Sequence, residues 1–252
     1  MFRFILKKAV PVPKLLSFDR FLFVGPHPDD IEVACGGTVA RLTQLGKQVA
    51  FVVVTDGGVG SVDPSLTMEA LVPLRRQESL SSAELLGVRD VRFLGYPDGA
   101  DYSLPAVVKD IVAAILDFRP QVVLCPDYTV PSECHPDHLN AGKAATDAVF
   151  YASWDKLTRR LGFDGAVNGI TLAYYYTHRP NGYVGVTKTS KLHLSAMACH
   201  RSQFTQADLN AFKTYFSLRE RRFGMRCGKL RAEGYRILSP THQHCFPEAS
   251  DF

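Results

Sequence analysis

Two short stretches of this chain combine imidazole and carboxylate groups at spacings that suit a metal ion and an activated water. The first is Gly25-Pro26-His27-Pro28-Asp29-Asp30-Ile31-Glu32; the second, about a hundred residues on, is His135-Pro136-Asp137-His138. Proline suits the first turn of a helix because its missing N–H would have no partner there, so each leading His sits just outside a helix. Residues three apart share a helix face, which brings His27 and Asp30 toward one point and turns Asp29 elsewhere. By the same geometry His138 joins that point from the second helix, with His135 beside it. Two imidazoles and one carboxylate are a sufficient set for a catalytic zinc with an open position, and they suit ferrous iron as well. A water in that position is acidified by the ion. Asp29 is then the natural general base, and His135 can donate to a developing oxyanion or protonate a leaving amine. Asp at a helix start is also a common cap for free N–H groups. That account covers one such turn; it does not explain two, each following a strand.

The elements around the turns read as an α/β chain. An apolar run over 20–24 precedes the first turn, and a helix over 39–45 ends at Gly46, a common helix terminator. The β-branched stretch 48–55 suits a parallel strand covered on both faces, and the glycine-rich loop 56–61 follows it, with Asp56 at the pocket rim by the strand-end rule. Next come a helix over 68–86 in which Pro73 can mark the true start, a strand over 90–94, a helix over 104–118, a strand over 120–125 and a helix over 136–150. The stretch 158–169 reads as a polar loop, 172–177 and 183–186 as strands, and 190–202 and 206–222 as helices. This alternation predicts a doubly wound, mostly parallel sheet with helices on both faces, in one domain over 1–252, with an N-terminal extension at 1–19 and an irregular tail at 239–252. In such a sheet ligands bind beyond the carboxyl ends of strands, where both His-containing turns lie. A dinucleotide would need glycines in the first turn; two aspartates there repel phosphate.

Composition sets outer bounds. Of 252 residues, 46% are hydrophobic and 21% charged, with a formal charge of +4. That is a globular balance, with no sign of nucleic-acid binding or stable membrane insertion. The basic residues at 219–222 and 229–231 read as a solvated helix face. Six cysteines without a close pair predict reduced thiols and a cytoplasmic setting. The first ten residues are too short and interrupted for a membrane span; a signal anchor is the alternative reading. Cys35 reads as a small buried hydrophobe, His200 as an internal hydrogen-bonding group, the triple tyrosine 174–176 as strand packing, and His242-Gln243-His244-Cys245 as an exposed tail.

The same residues resemble the PIG-L/LmbE-like family of zinc-dependent N-deacetylases. The resemblance is carried by Pro26-His27-Pro28-Asp29-Asp30-Ile31-Glu32 with Gly36-Gly37-Thr38, and by His135-Pro136-Asp137-His138 with Asn140-Ala141-Gly142. Weaker matches are Thr55, Gly57, the Arg75/Glu78 pair, the run 93–99, His200-x-Ser202-Gln203 and the closing segment Ala232-Glu233-Gly234-Tyr235. It implies a Rossmann-like fold, one zinc and hydrolysis of an N-acetyl group from an N-acetylglucosamine-type sugar. Carried over position by position, His27, Asp30 and His138 hold the metal and Asp29 is the base. His135 stabilises the oxyanion or acts as acid, with Asp137 orienting it. Arg75 and Asp98 correspond to sugar-binding positions; an ion pair between elements is the other reading of them. Glu133 reads as a loop carboxylate. Residues 207–231 find no clear counterpart and suit contacts in a homo-oligomer or closure of the pocket. Two rival functions stay open: a non-catalytic metal- or carbohydrate-binding protein, and hydrolysis of another amide in a small metabolite.

Overall fold

In a computed structural model of the chain, residues 2–99 and 101–244 are described. Helix α1 (Phe2–Ala9) and a 3-10 turn at Leu15–Ser17 lead into β1 (Arg20–Gly25), α2 (Asp30–Gln44), β2 (Gln48–Thr55) and α3 (Met68–Leu85). There follow β3 (Asp90–Tyr96), α4 (Leu104–Phe118), β4 (Val122–Pro126), α5 (Pro136–Ala152) and α6 (Asp155–Arg160). The chain continues through β5 (Thr171–Tyr175), β6 (Gly182–Gly185), α7 (Ser190–Met197), α8 (Gln206–Cys227) and β7 (Ala232–Leu238).

The seven strands form one sheet in the order β3-β2-β1-β4-β5-β7-β6. The first five neighbours are parallel; β7 runs antiparallel to both β5 and β6. The predicted doubly wound, mostly parallel sheet is therefore the observed one. Strand β2 shows why its sequence is apolar throughout. Ala50, Val52 and Val54 face α4 and α5 in one core, while Val49 and Phe51 belong to the core on the opposite face, with residues of α2. Each such fully buried Val or Phe contributes roughly 1.5–3 kcal/mol.

Several boundaries differ from expectation. Helix α2 begins at Asp30, nine residues before the predicted start, because the turn residues themselves enter the helix. Pro73 lies inside α3, whose start is set by Thr67 accepting from the N–H of Ala70. The stretch expected as a polar loop opens with the last turn of α6, where the Thr158 hydroxyl donates to Asp155 O and Gly165 O. Strand β7 was not predicted; its polar alternation hides a strand that pairs on both edges. His242 is buried rather than exposed: its Nδ1 lies 2.7 Å from the Ser239 hydroxyl and its Nε2 is 3.2 Å from Val10 O, tying tail to N-terminus. Cys245 and the rest of the expected irregular tail lie outside the described residues. No helix among the described residues is long and apolar enough to cross a membrane.

Candidate metal centre and active site

Strand order reverses between β1 and β4: the chain winds outward from β1 through β2 to β3, then returns to β4 on the other side of β1. These two strands are hydrogen-bonded neighbours, with Phe23 opposite Leu124. The crevice outside their carboxyl ends is the topological switch point of the sheet. The Pro26–Asp30 turn leaves β1 there, and the 127–135 loop leaves β4 to the same place. The two turns meet: Asp30 Oδ2 is 3.0 Å from His27 Nδ1, and Asp30 Oδ1 is 3.4 Å from His138 Nε2.

Asp29 occupies the cap position of α2 but makes no side-chain capping bond. Its carboxylate is held instead by Arg75, whose Nη2 lies 3.2 Å away, while Nη1 donates to Gly57 O at 2.8 Å. Gly57 has a φ of +70°, and a Cβ there would lie 2.7 Å from Arg75 Nη1 and 2.8 Å from Pro28 Cδ. Only glycine lets the β2 loop and the arginine pass so close. Asp56 Oδ1 accepts from the N–H groups of Gly58 and Asp98, linking that loop to the 97–99 turn. Burial and the charge of Asp30 push the Asp29 carboxyl upward, against the pull of Arg75.

On the second turn, His135 caps α5, and its Nδ1 accepts from the Asp137 N–H at 3.3 Å. The ring proton is thus on Nε2, and the ring is the most exposed of the cluster, with 46% of its side chain accessible. The Asp137 carboxylate lies nearer His27 (Oδ2 to Nε2, 3.3 Å) than His135 (Oδ2 to Nδ1, 3.8 Å). It is fixed by the Gly99 N–H at 2.9 Å and the Tyr102 hydroxyl at 2.8 Å. Asp98 also reaches His27 Nε2, at 3.2 Å, while lining the cleft with Arg75. Glu133 is more than a loop carboxylate: Oε2 is 3.3 Å from His138 Nδ1, and Oε1 accepts from the His135 N–H at 2.8 Å. Tyr176 joins the site too. It follows β5 directly with a left-handed φ of 54°, stacks on His138 with ring centroids 6.0 Å apart, and donates to Asp30 O at 3.4 Å. Such backbone strain concentrates at functional sites. Tyr174 and Tyr175 pack in the two cores as expected.

The donor set fits a cation. With its Nε2–H directed at Asp98 and Asp137, a neutral His27 would aim the Nδ1 lone pair at the Asp30 carboxylate, which is repulsive unless a positive charge lies between. Burial disfavours a charged ring, yet hydrogen bonds to the Asp137, Asp30 and Asp98 carboxylates outweigh it, and the His27 pKa is pushed up to about 12. For His138, burial again opposes and Asp30 overrides, raising it. Burial would raise the Asp30 carboxyl, but the two imidazoles hold it far below the usual range. His27, Asp30 and His138 have ligand-type atoms within 4.8 Å of one another. A second grouping, His27 with His135 and Asp137, uses the opposite ring nitrogen of His27, but there both Asp137 oxygens already accept hydrogen bonds. The cleft, about 280 Å³, is lined by His27, Asp29, Asp30, His135 and His138 together with Val59, Gly60 and Gln203. Gln203 donates to Gly60 O, and Ser202 is held by Glu78, so the 200–203 turn braces the glycine loop.

Sequence reasoning missed Tyr102, Tyr176, Gly99 and the engaged role of Glu133. Tyr176 carried the one usable signal, a position at a strand's carboxyl end. It also missed a third metal-capable group, His193 with Glu220 and Glu233, all buried between α2, α7, α8 and β7. Glu233 Oε1 and Oε2 accept from the N–H groups of Gly37 and Thr38 at 2.9 Å each. A Cβ on Gly37 would lie 2.6 Å from that Oε1, and one on Gly36 would lie 2.7 Å from the His193 ring. The glycine pair is what lets these groups reach the backbone of α2. His200 is buried, but the hydrogen bond expected of it is not formed: Nε2 lies 3.5 Å from Glu32, and neither ring nitrogen makes a hydrogen bond among the described residues.

Known proteins resemble this chain in sequence and in fold. The PIG-L family pattern, described as GlcNAc-PI de-N-acetylase, matches residues 22–149. Diacetylchitobiose deacetylase of Thermococcus kodakarensis is 33% identical over 234 residues, spanning 91% of this chain and 87% of that one. The 1D-myo-inositol 2-acetamido-2-deoxy-alpha-D-glucopyranoside deacetylase of Kineococcus radiotolerans is 33% identical over 54% of this chain and 46% of its own length. Among solved structures, N,N'-diacetylchitobiose deacetylase of Pyrococcus horikoshii, in complex with its inhibitor MPG, superposes with a TM-score of 0.90 at 31% identity. That match covers all of this chain and 96% of the other.

Proposed function

The chain belongs to the PIG-L family, and from that premise we propose that it is a zinc-dependent deacetylase removing the N-acetyl group of an N-acetylglucosamine-type sugar or conjugate. The observation that carries this reading is the convergence of His27, Asp30 and His138 at the switch point, with Asp29 and His135 flanking the same cleft.

His27, Asp30 and His138 would hold the ion, the outer nitrogens of the two imidazoles being directed at Asp98, Asp137 and Glu133. When bound, a divalent ion there supplies a Lewis acid that acidifies a water and polarises the acetyl carbonyl. Asp29 accepts the proton of the attacking water, and its raised pKa strengthens it as a base. Arg75 keeps the Asp29 carboxylate oriented. His135 presents Nε2–H toward the cleft, where it can stabilise the oxyanion or deliver a proton to the departing amine. Arg75 and Asp98 line the cleft and can also meet sugar hydroxyls. The five described cysteines are all free, which supports a cytoplasmic setting. A purely binding protein needs neither Asp29 nor His135 poised in this way.

The test is acetate release from a panel of N-acetylglucosamine conjugates, with metal analysis of the same sample. The reading requires acetate from at least one conjugate and one bound zinc per chain. Acetate release that persists after complete removal of metal contradicts it.

A further inference from the structure

Glu32 lies in the first turn of α2, three residues beyond Asp29 and on the same face. A glutamate at that position often turns back to accept from the N–H of the cap residue. Here the Asp29 N–H donates to His27 O instead, and Glu32 Oε1 makes no hydrogen bond among the described residues. Glu32 is 1% exposed, and a carboxylate so buried needs a countercharge. Among the described residues the one cation-forming group at ion-pair distance is His200, whose Nε2 lies 3.5 Å from Oε1.

The turn after α7 delivers His200 to that point. Its N–H donates to Met197 O, and its carbonyl accepts from the N–H groups of Gln203 and Phe204. Beside it, Ser202 is held by Glu78 of α3, and Arg75, one turn earlier on that helix, holds Asp29. The His200 ring is fully buried and edge-on to Phe204, with centroids 6.4 Å apart. A neutral imidazole would leave both of its nitrogens and the Glu32 oxygen unpartnered in the interior, which is costly. An imidazolium facing the carboxylate offsets that cost by attraction. Burial opposes the charge, but Glu32, Asp29 and Glu78 override it and raise the His200 pKa. His200 is absent from the lining of the cleft, so any effect on the chemistry passes through α2 and not through contact with substrate.

We propose that His200 is a positioning residue for the base: as an imidazolium paired with Glu32, it fixes the first turn of α2 and with it the Asp29 carboxylate beside the cleft. Arg75 grips that carboxylate from α3. The His200–Glu32 pair holds the backbone that carries it, a turn closed by the Val33 N–H donating to Asp29 O at 3.0 Å. What Asp29 does there rests on the deacetylase reading, while the charged pair can be observed without turnover.

Nitrogen NMR of ring-labelled histidines in the full-length, metal-free chain reads the pair directly, with His200 assigned by its loss in His200→Gln. At about pH 7.5, a unit above the usual imidazole value, both His200 nitrogens should carry protons, and in Glu32→Gln the same ring should be neutral. A neutral His200 in the native chain overturns the proposal. On zinc-loaded protein, with an N-acetylglucosamine conjugate that the native chain hydrolyses, His200→Gln and Glu32→Gln should each lower kcat about tenfold or more, with KM and metal content unchanged. The double variant should fall no further than the worse single one, as for two members of one unit. Ser82→Ala is the control: it removes a hydroxyl that donates to Ala196 O between α3 and α7, and it should lower the melting temperature and leave kcat alone. Native kcat in both single variants, or losses that multiply in the double one, overturns the positioning role. Should His200→Gln fail to fold, Glu32→Gln carries both readouts. No acetate from the native chain defeats the deacetylase reading, and the ring signal then decides the His200–Glu32 pair by itself.

Discussion

His27, Asp30 and His138 at the cleft and His193, Glu220 and Glu233 beneath α2 both bring ligand-type atoms within 4.8 Å of one another. In the buried cluster every carboxylate oxygen has a protein partner. Glu220 takes Ser190, Arg231 and His193; Glu233 takes Gly37, Thr38 and Tyr235. The remaining nitrogen of His193 faces Val33 O at 3.1 Å. With both ring nitrogens facing acceptors, a protonated His193 closes the network without a metal. At the cleft the balance differs. Among the described residues Asp30 Oδ1 faces only the His138 ring, three carboxylates surround His27, and the group opens to solvent beside Asp29. Similar donor atoms therefore serve two ends. Where protein donors satisfy them the cluster serves as scaffold, and where they face one another at an opening the arrangement suits an ion.

The largest effect that separates the two is on turnover. Asp29→Asn should lower acetate release by about 10²–10⁴-fold with metal content unchanged; full turnover in that variant would remove Asp29 as the base. Next, Glu220→Gln should destabilise the fold by roughly 2–3 kcal/mol, because buried His193 is left with Glu233 alone, at 3.6 Å, and half-buried Arg231 loses its carboxylate. Chemical unfolding measures this, and a loss of bound metal instead of stability would mean the two clusters had been assigned the wrong way round. Asp137→Asn tests the support behind His27. It should weaken metal affinity by about 10–100-fold in chelator competition; unchanged affinity would remove Asp137 from the support of the site.

The smallest effect is on pH dependence. Burial lowers the tendency of His193 to protonate, but Glu220 and Glu233 override it, and its pKa in the fold is raised. A raised folded pKa gives stability that is fully present below the unfolded value, near 6.5, and lost as pH rises through the folded one. Melting temperature should therefore fall from about pH 6.5 upward, and His193→Gln should flatten that slope. An unchanged slope in the variant would show that His193 does not carry the charge.

The sequence made the cleft cluster legible because its signal is local. Proline marks the helix start at Pro136 of α5; before α2 the cap is Asp29 and His27 lies outside the helix, yet the three-residue spacing still brings His27 and Asp30 to one point through the turn itself. Their meeting with His138 needed only that β1 and β4 be neighbours, which a doubly wound sheet supplies at its switch point. The buried cluster has no such signature. His193, Glu220 and Glu233 come from α7, α8 and β7, and what unites them is the Gly36-Gly37 gap in α2, readable only once those elements are packed. Strand β7 was missed for a related reason, since Glu233 and Arg236 make its alternation look like loop. Glu133 and Tyr176 were undervalued because what matters in them is a contact with His138, across the turn for one and across the sheet for the other.

Anomalous diffraction at the zinc edge, on crystals grown with one equivalent of zinc, tests the account most directly. It predicts a single peak bounded by His27, Asp30 and His138 and none at His193, Glu220 and Glu233. A peak in the buried cluster, or none at the cleft, would contradict it.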